Sequence, residues 1–211
     1  MIHFAHRGCI CEPNTINGII NISNEIEAIE IDVRFNTKRE VVICHDRVRR
    51  NDSPDLFEDL LKKEIPLTLL VDIKAFGIHT AATLGETVVS LVSKYPRHRY
   101  MLCSFNEYCV LELSNLKNRL GLSYLVGVIA AGLPIGIFSH LDFDFVSFKF
   151  DVIHEELVMA FRSKYGRKQI FCWTCNDDST KSEMDYRYHI DGIIYDKVCG
   201  ECSKRNGSVL P

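Results

Sequence analysis

Short apolar or β-branched runs recur near residues 2–6, 28–34, 41–45, 67–73, 100–104, 122–126, 143–149, 169–174 and 192–195, and each reads as a strand. Between most of them lie longer segments with apolar residues at helical spacing: 14–26, carrying Ile16, Ile19, Ile20 and Ile26, then 80–95, 106–117, 155–165 and 178–188. Strand and helix in alternation imply a parallel sheet, and about eight such units closed on themselves make a TIM-like (β/α)8 barrel. The pattern holds nine strands. Only Phe35 to Glu40 separate the second from the third, where a parallel crossover needs about a dozen residues or more. The third is therefore expected as an extra hairpin strand after strand 2. A turn at Thr37 to Glu40 would bring His45 level with Asp32, to within one residue of register.

Leu120 to Ser139 carries no charge and is long enough on paper to cross a bilayer, but Gly121, Gly127, Gly132, Gly136 and Pro134 interrupt it. It reads as a strand at 122–126 followed by an apolar loop, and no transmembrane span is expected. With 211 residues, 46% of them hydrophobic, the chain can bury one substantial core, so 1–211 is expected to be a single domain. The formal net charge is −3 and the basic residues are scattered, which argues against a nucleic-acid partner. The start lacks the basic and apolar regions of a signal peptide, so a cytoplasmic location is expected. Nine cysteines, an odd number, fit reduced thiols. The pairs Cys172-x2-Cys175 and Cys199-x2-Cys202 suggest zinc, but an offset of three along a strand would set Cys172 and Cys175 on opposite faces.

Candidate chemistry concentrates at strand ends. Glu30 and Asp32 project from one face of the second strand because side chains there repeat with period two. Two hard oxygen ligands on one wall suit Mg²⁺ or Ca²⁺ better than Zn²⁺. His6 and His45 can take or give a proton near neutral pH. Arg7 offers a planar fork to an anion, and Lys74 shares the face of Asp72, two residues before it. Together these are parts for cleaving a phosphodiester with a divalent metal.

The ordered set His6-Arg7-Gly8, Asn14-Thr15, Glu30-Ile31-Asp32-Val33, His45-Asp46, Asp72-Ile73-Lys74, Ser104-Phe105, Trp173-Thr174-x-Asn176 and Asp191-Gly192-Ile193-Ile194-x-Asp196 resembles the motifs of glycerophosphodiester phosphodiesterases, which are TIM-barrel enzymes. The resemblance runs from residue 3 to about residue 196. It implies a phosphoric diester hydrolase acting on glycerophosphodiesters or lysophospholipid-like small molecules. It further implies Glu30, Asp32 and Asp72 as ligands of an Mg²⁺ or Ca²⁺ cofactor, and His6 and His45 as the acid–base pair in an order left open. Arg7 and Lys74 would hold the phosphate, and Trp173 would pack on the alcohol part of the substrate. The other histidines read as structural.

The chain departs from the family in three places. Asp72 stands where the family usually has Glu, Glu12-Pro13 inverts the usual Pro-Glu, and only 25 residues separate Asp46 from Asp72 where a longer cap is common. Two alternatives follow: a catalytically inactive barrel that binds a phosphorylated ligand, and a metal-independent phosphodiesterase of similar form. The paired Glu30 and Asp32 argue against the second, since uncompensated carboxylates would repel the phosphate. The apolar loop 127–138, with Val128, Ile129, Leu133, Ile135, Ile137 and Phe138, is expected to pack under a neighbouring helix, to form an ordinary βα connection with its own short helix, or to form a lip for an acyl chain and a peripheral membrane contact.

Overall fold

The computed structural model describes residues 1–132 and 137–200, with the side chain of Ile137 left undescribed. The elements run β1 (Ile2–Cys9), α1 (Ile16–Ile22), β2 (Ala28–Phe35), β3 (Val41–Ile43), α2 (Phe57–Leu61), β4 (Thr68–Ile73), α3 (Ile78–Lys94) and β5 (Arg99–Ser104). They continue with α4 (Glu107–Leu120), β6 (Leu125–Ala130), β7 (Phe145–Lys149), α5 (Glu155–Tyr165), β8 (Gln169–Trp173), α6 (Asp178–Tyr186) and β9 (Gly192–Lys197). Eight parallel strands close into a ring in the order β1-β2-β4-β5-β6-β7-β8-β9, sealed where β1 pairs with both β2 and β9. The expected TIM-like barrel is present. The ninth strand, β3, lies outside the ring and pairs antiparallel with β2, as the short connection requires.

Alternation sorts each strand into two layers. Ile29, Ile31 and Val33 of β2, like Leu69, Val71 and Ile73 of β4, face the helices, while Ala28 and Leu70 face the barrel interior. The interior floor is aromatic: Phe171 lies 5.1 Å from Phe4 and 4.8 Å from Phe145, ring centre to ring centre. Burying each such ring is worth roughly 1.5–3 kcal/mol. Above this floor the inward-facing rows turn polar on β1, β2, β4 and β7, where His6, Glu30, Asp72 and Ser147 come next.

The uncharged stretch folds differently from expectation. The strand is Leu125–Ala130 rather than 122–126, and Gly127 lies inside it. A Cβ at Gly127 would come within 2.1 Å of the Phe145 ring, so this glycine makes room for the floor instead of breaking the strand. Val128 and Ile129 are therefore buried strand residues, and Phe138 is buried edge-on against Phe143. These three cannot form a lip. Leu133 and Ile135 lie outside the described residues. No helix among the described residues is long and apolar enough to cross a membrane.

Helix α1 is shorter than the expected 14–26: Thr15 caps its start, its side chain accepting from Gly18 N–H, and it ends at Ile22 with Ser23 as its C-cap. Helix α2, with Phe57, Leu60 and Leu61 fully buried, was not apparent in the pattern of 47–71, being only five residues long. The thiols of Cys172 and Cys175 do not point apart: β8 ends at Trp173, so alternation no longer governs Cys175, and the two sulfurs lie 3.2 Å apart. Cys199 instead adjoins Cys9, its N–H donating to the Cys9 sulfur, and Cys202 lies outside the described residues.

Buried His98 ties the cap to the barrel. Its Nδ1 accepts from Leu67 N–H at 3.1 Å, so Nε2 carries the proton and donates to Leu61 C=O at 2.9 Å. The bond from Leu67 N–H requires an unprotonated Nδ1 and so the neutral ring, and burial holds the His98 pKa below the ordinary 6.5. The unfolded chain therefore binds the proton more readily, and stability fully present above pH 6.5 is lost as pH falls from there through the lower folded-state pKa. His98→Ala is expected to cost about 1–3 kcal/mol near neutral pH, read from denaturant midpoints, because it orphans both backbone groups. The difference from wild type should narrow below pH 6.5.

Candidate active site

His6, Arg7, Glu30, Asp32, His45, Asp72, Lys74 and Trp173, the eight residues singled out from the sequence, all line one cavity of about 120 Å³ at the C-terminal mouth of the barrel. Strand parity explains most of this. Glu30 and Asp32 follow Ala28 on β2, Asp72 and Lys74 follow Leu70 on β4, and Trp173 follows Phe171 on β8, all continuing inward-facing rows. Register places Asp32 directly beside Asp72.

Arg7 breaks the parity rule. It takes a left-handed conformation, φ 57°, within an irregularity of β1 between Ala5 and Cys9, so His6 and Arg7 both reach the cavity although they are consecutive. Its N–H donates to Glu30 Oε2 at 2.9 Å, and its Nε lies 3.2 Å from Asp32 Oδ2.

Glu30, Asp32 and Asp72 are all buried, and an oxygen from each lies within 4.8 Å of the others. Asp32 has many partners: Lys74 Nζ at 3.0 Å, Arg7, and Asn14 Nδ2 at 2.8 Å. Lys74 also bonds Asp72 Oδ2 at 2.5 Å, and although burial pulls its pKa down, Asp72 and Asp32 outweigh that and raise it. Glu30 is pushed well above the carboxylate range by burial and then by the charges of Asp32 and Asp72. Burial likewise lifts Asp72 to about 6 against the opposing pull of Lys74, and its Oδ1 is buried without a partner.

This set fits a hard divalent cation. Oxygen ligands 2.0–2.6 Å from an ion lie at most about 4–5 Å apart across it, which matches the spread of the trio. An ion there would also satisfy the orphaned Asp72 oxygen and relieve the mutual repulsion that raises Glu30. Asp72 reaches the trio despite being one methylene shorter than glutamate.

The two histidines differ in setting. His6 Nδ1 lies 2.7 Å from Asp196 Oδ1, and Asp196 is itself held by Asn176, whose Nδ2 donates to Oδ2 at 2.7 Å and whose Oδ1 accepts from Asp196 N–H at 2.9 Å. Burial lowers the His6 pKa, Asp196 opposing it. A carboxylate at Nδ1 fixes the proton there, so neutral His6 presents a bare Nε2. His45 is more exposed, and its Nδ1 lies 2.9 Å from Asp46 Oδ1. The hairpin sets Cys44 opposite Asp32, its N–H donating to Asp32 C=O at 2.9 Å, so His45 falls one residue past level.

Trp173 donates from its ring N–H to Ser147 C=O and stands edge-on to Phe105, 5.7 Å away. Lys149, at the end of β7, pairs with Asp151 and is not part of the cavity lining. The Ser147 hydroxyl lines the cavity instead, buried and unpartnered. Glu12 is absent from the lining, and Asn14 contacts the carboxylates in its place. Asn14, Phe105, Ser147 and the Asp196–Asn176 pair were not given roles from sequence. Parity with Ile194 and the pairing of β9 with β1 could have pointed to Asp196.

No protein-family model and no curated protein matches the chain. Solved structures do resemble it. One is a glycerophosphodiester phosphodiesterase from Parabacteroides distasonis, with a TM-score of 0.75 and 20% identity, covering 98% of this chain and 97% of that one. Another is a phosphodiesterase from Oleispira antarctica in complex with its product sn-glycerol-3-phosphate, with a TM-score of 0.78, 14% identity, and coverage of 97% and 96%. A third is a glycerophosphodiester phosphodiesterase from Thermotoga maritima, with a TM-score of 0.67, 17% identity, and coverage of 92% and 94%. At such identities the shared property is the fold.

A cation held by the trio should stabilise the fold. At a hundredfold excess over its Kd the gain is about 2.7 kcal/mol, or roughly 5–10 °C in Tm for a chain of this size. Metal-free protein is expected to gain this with Mg²⁺ or Ca²⁺ in scanning calorimetry. Asp32→Asn should lose the gain, and an equal rise in that variant would exclude the trio as the ligand set.

Proposed function

We propose that this protein hydrolyses glycerophosphodiesters, using a divalent cation, Mg²⁺ or Ca²⁺, held by Glu30, Asp32 and Asp72. The observation that carries this reading is the meeting of two histidines with a buried carboxylate trio in one cavity at the barrel mouth. The structures sharing the barrel, several of them glycerophosphodiester phosphodiesterases, support the substrate class.

His6 is the general base. Its Nε2 takes a proton from a water, whose oxygen attacks phosphorus, while Asp196 stabilises the imidazolium that forms. His45, turned toward solvent on the hairpin, gives a proton to the departing alkoxide as the phosphorus–oxygen bond breaks. The products are a phosphate monoester and an alcohol. A bound cation supplies Lewis-acid stabilisation of the phosphate charge. Arg7 and Lys74 assist from the same cavity, and Trp173 with Phe105 forms the wall against which the glycerol lies.

Glycerophosphodiesters are favoured over lysophospholipids because, among the described residues of the expected acyl lip, Val128, Ile129 and Phe138 are buried in the fold.

Removing a general acid or base typically costs about 10²–10⁴-fold in rate. His6→Ala and His45→Ala are each expected to lose that much kcat on a glycerophosphodiester while keeping the wild-type Tm. Asp196→Asn should lower kcat far more than it raises KM, since it acts through His6. Near wild-type turnover in either histidine variant would refute the assignment, and tight binding of the diester without release of alcohol would mark a binding barrel instead.

A further inference from the structure

A second cleft of about 850 Å³ adjoins the first, and its walls include Arg34, Asn36, His45, Arg47, Lys74 and Phe76. His45 and Lys74 line both spaces. A phosphodiester has two ester arms diverging from phosphorus. With one arm against Trp173 and Phe105, the other leads past His45 into this cleft.

The lining of the cleft is positive. Arg34, Arg47 and Lys74 stand there with a single carboxylate, Asp46, which is 92% exposed and bonded to His45. Lys74 is engaged by Asp32 and Asp72, and buried Arg34 donates to His45 C=O at 2.8 Å. Arg47 is exposed and has no hydrogen bond or ion pair among the described residues, so its guanidinium is available to a ligand. Asn36 is occupied with Glu40 and closes the hairpin turn.

The aromatic groups of the cleft disfavour a cationic arm. A quaternary ammonium is bound by open aromatic faces. Here the guanidinium of Arg34 sits 5.4 Å from the centre of the Phe76 ring, and that of Arg39 sits 5.4 Å from the Phe35 ring. Both rings already carry a cation. A choline group would meet arginine where it needs an aromatic ring, whereas an anion would meet a free guanidinium fork.

We propose that the cleft bounded by Arg34, Arg47 and Phe76 is a subsite for an anionic ester arm, so that the preferred substrates are glycerophosphodiesters whose second alcohol itself bears a phosphate. This rests on the hydrolase reading above and extends it to the leaving alcohol. The cleft is large enough for a phosphorylated polyol ring, and Arg47 is the residue that reads its charge.

The test compares three diesters in the presence of Mg²⁺: glycerophosphocholine, glycerophosphoinositol and glycerophosphoinositol 4-phosphate, whose second alcohols are cationic, neutral and anionic. Both kcat/KM and calorimetric affinity are measured, in wild type and in Arg47→Gln. A hydrogen bond to a charged group corresponds to about tenfold or more. The phosphorylated diester should exceed the neutral one by at least about that factor at low salt, and the choline ester should rank last. The advantage should shrink as salt screens it and fall toward unity in Arg47→Gln. If no diester is cleaved but affinity keeps this ranking and its dependence on Arg47, the hydrolase reading fails and the subsite stands. Equal kcat/KM and affinity for all three, or a ranking untouched by Arg47→Gln, overturns the subsite.

Discussion

The structure turns on three carboxylates that share one desolvated corner of the barrel mouth. Ionised side chains pay heavily for leaving water unless they are paired, and the surrounding design answers that cost. Lys74 sits two residues after Asp72 so that one ammonium reaches both Asp72 and Asp32. Arg7 adopts a left-handed backbone that aims both its N–H and its side chain at the trio. Asn14, also at positive φ, closes a pair of hydrogen bonds with Asp32. Even so, compensation is incomplete: Glu30 and Asp72 remain shifted toward protonation, and one Asp72 oxygen lacks a partner. A divalent ion accounts for that residue of unpaired charge more simply than any protein group in view.

The same corner brings the two histidines together. His6 faces it from β1 with its Nδ1 anchored by Asp196, while His45 comes to it on a hairpin outside the ring, with an exposed carboxylate as its one side-chain partner among the described residues. Half-buried and anchored on one side, more exposed on the other, the two imidazoles differ in setting as the proposed division into base and acid requires. The cap between them and β4 is brief, one five-residue helix locked through His98 to the barrel wall. That brevity leaves the mouth open toward the cleft lined by Arg34 and Arg47.

Much of this was legible because closure of a parallel barrel obeys parity. Once Glu30, Asp32, Asp72 and Lys74 are assigned inward faces, they must converge, and they do. The hairpin was readable from a six-residue connection, and its register came within the allowed single residue, with Cys44 opposite Asp32. Other features depended on contacts far apart in sequence. Asp196 meets His6 across 190 residues, through the strand pairing that seals the ring. Gly127 reads locally as a breaker, and only the Phe145 ring beside it explains a glycine inside a strand. Lys149, at the end of β7, pairs with Asp151, two residues away, a contact that strand alternation does not show. Cys175 escaped the alternation rule because the strand stops two residues earlier.

The central claim is that the carboxylate trio holds a cation on which phosphodiester cleavage depends. Phosphorus NMR of a glycerophosphodiester incubated with the Mg²⁺-loaded protein tests it most directly, because diester, cyclic phosphate and monoester resonate apart. The account predicts conversion to the phosphate monoester that stops on adding EDTA, resumes when Mg²⁺ is restored in excess, and is absent in Asp32→Asn. An intact diester with the cation present, or conversion indifferent to EDTA and to Asp32→Asn, would contradict it.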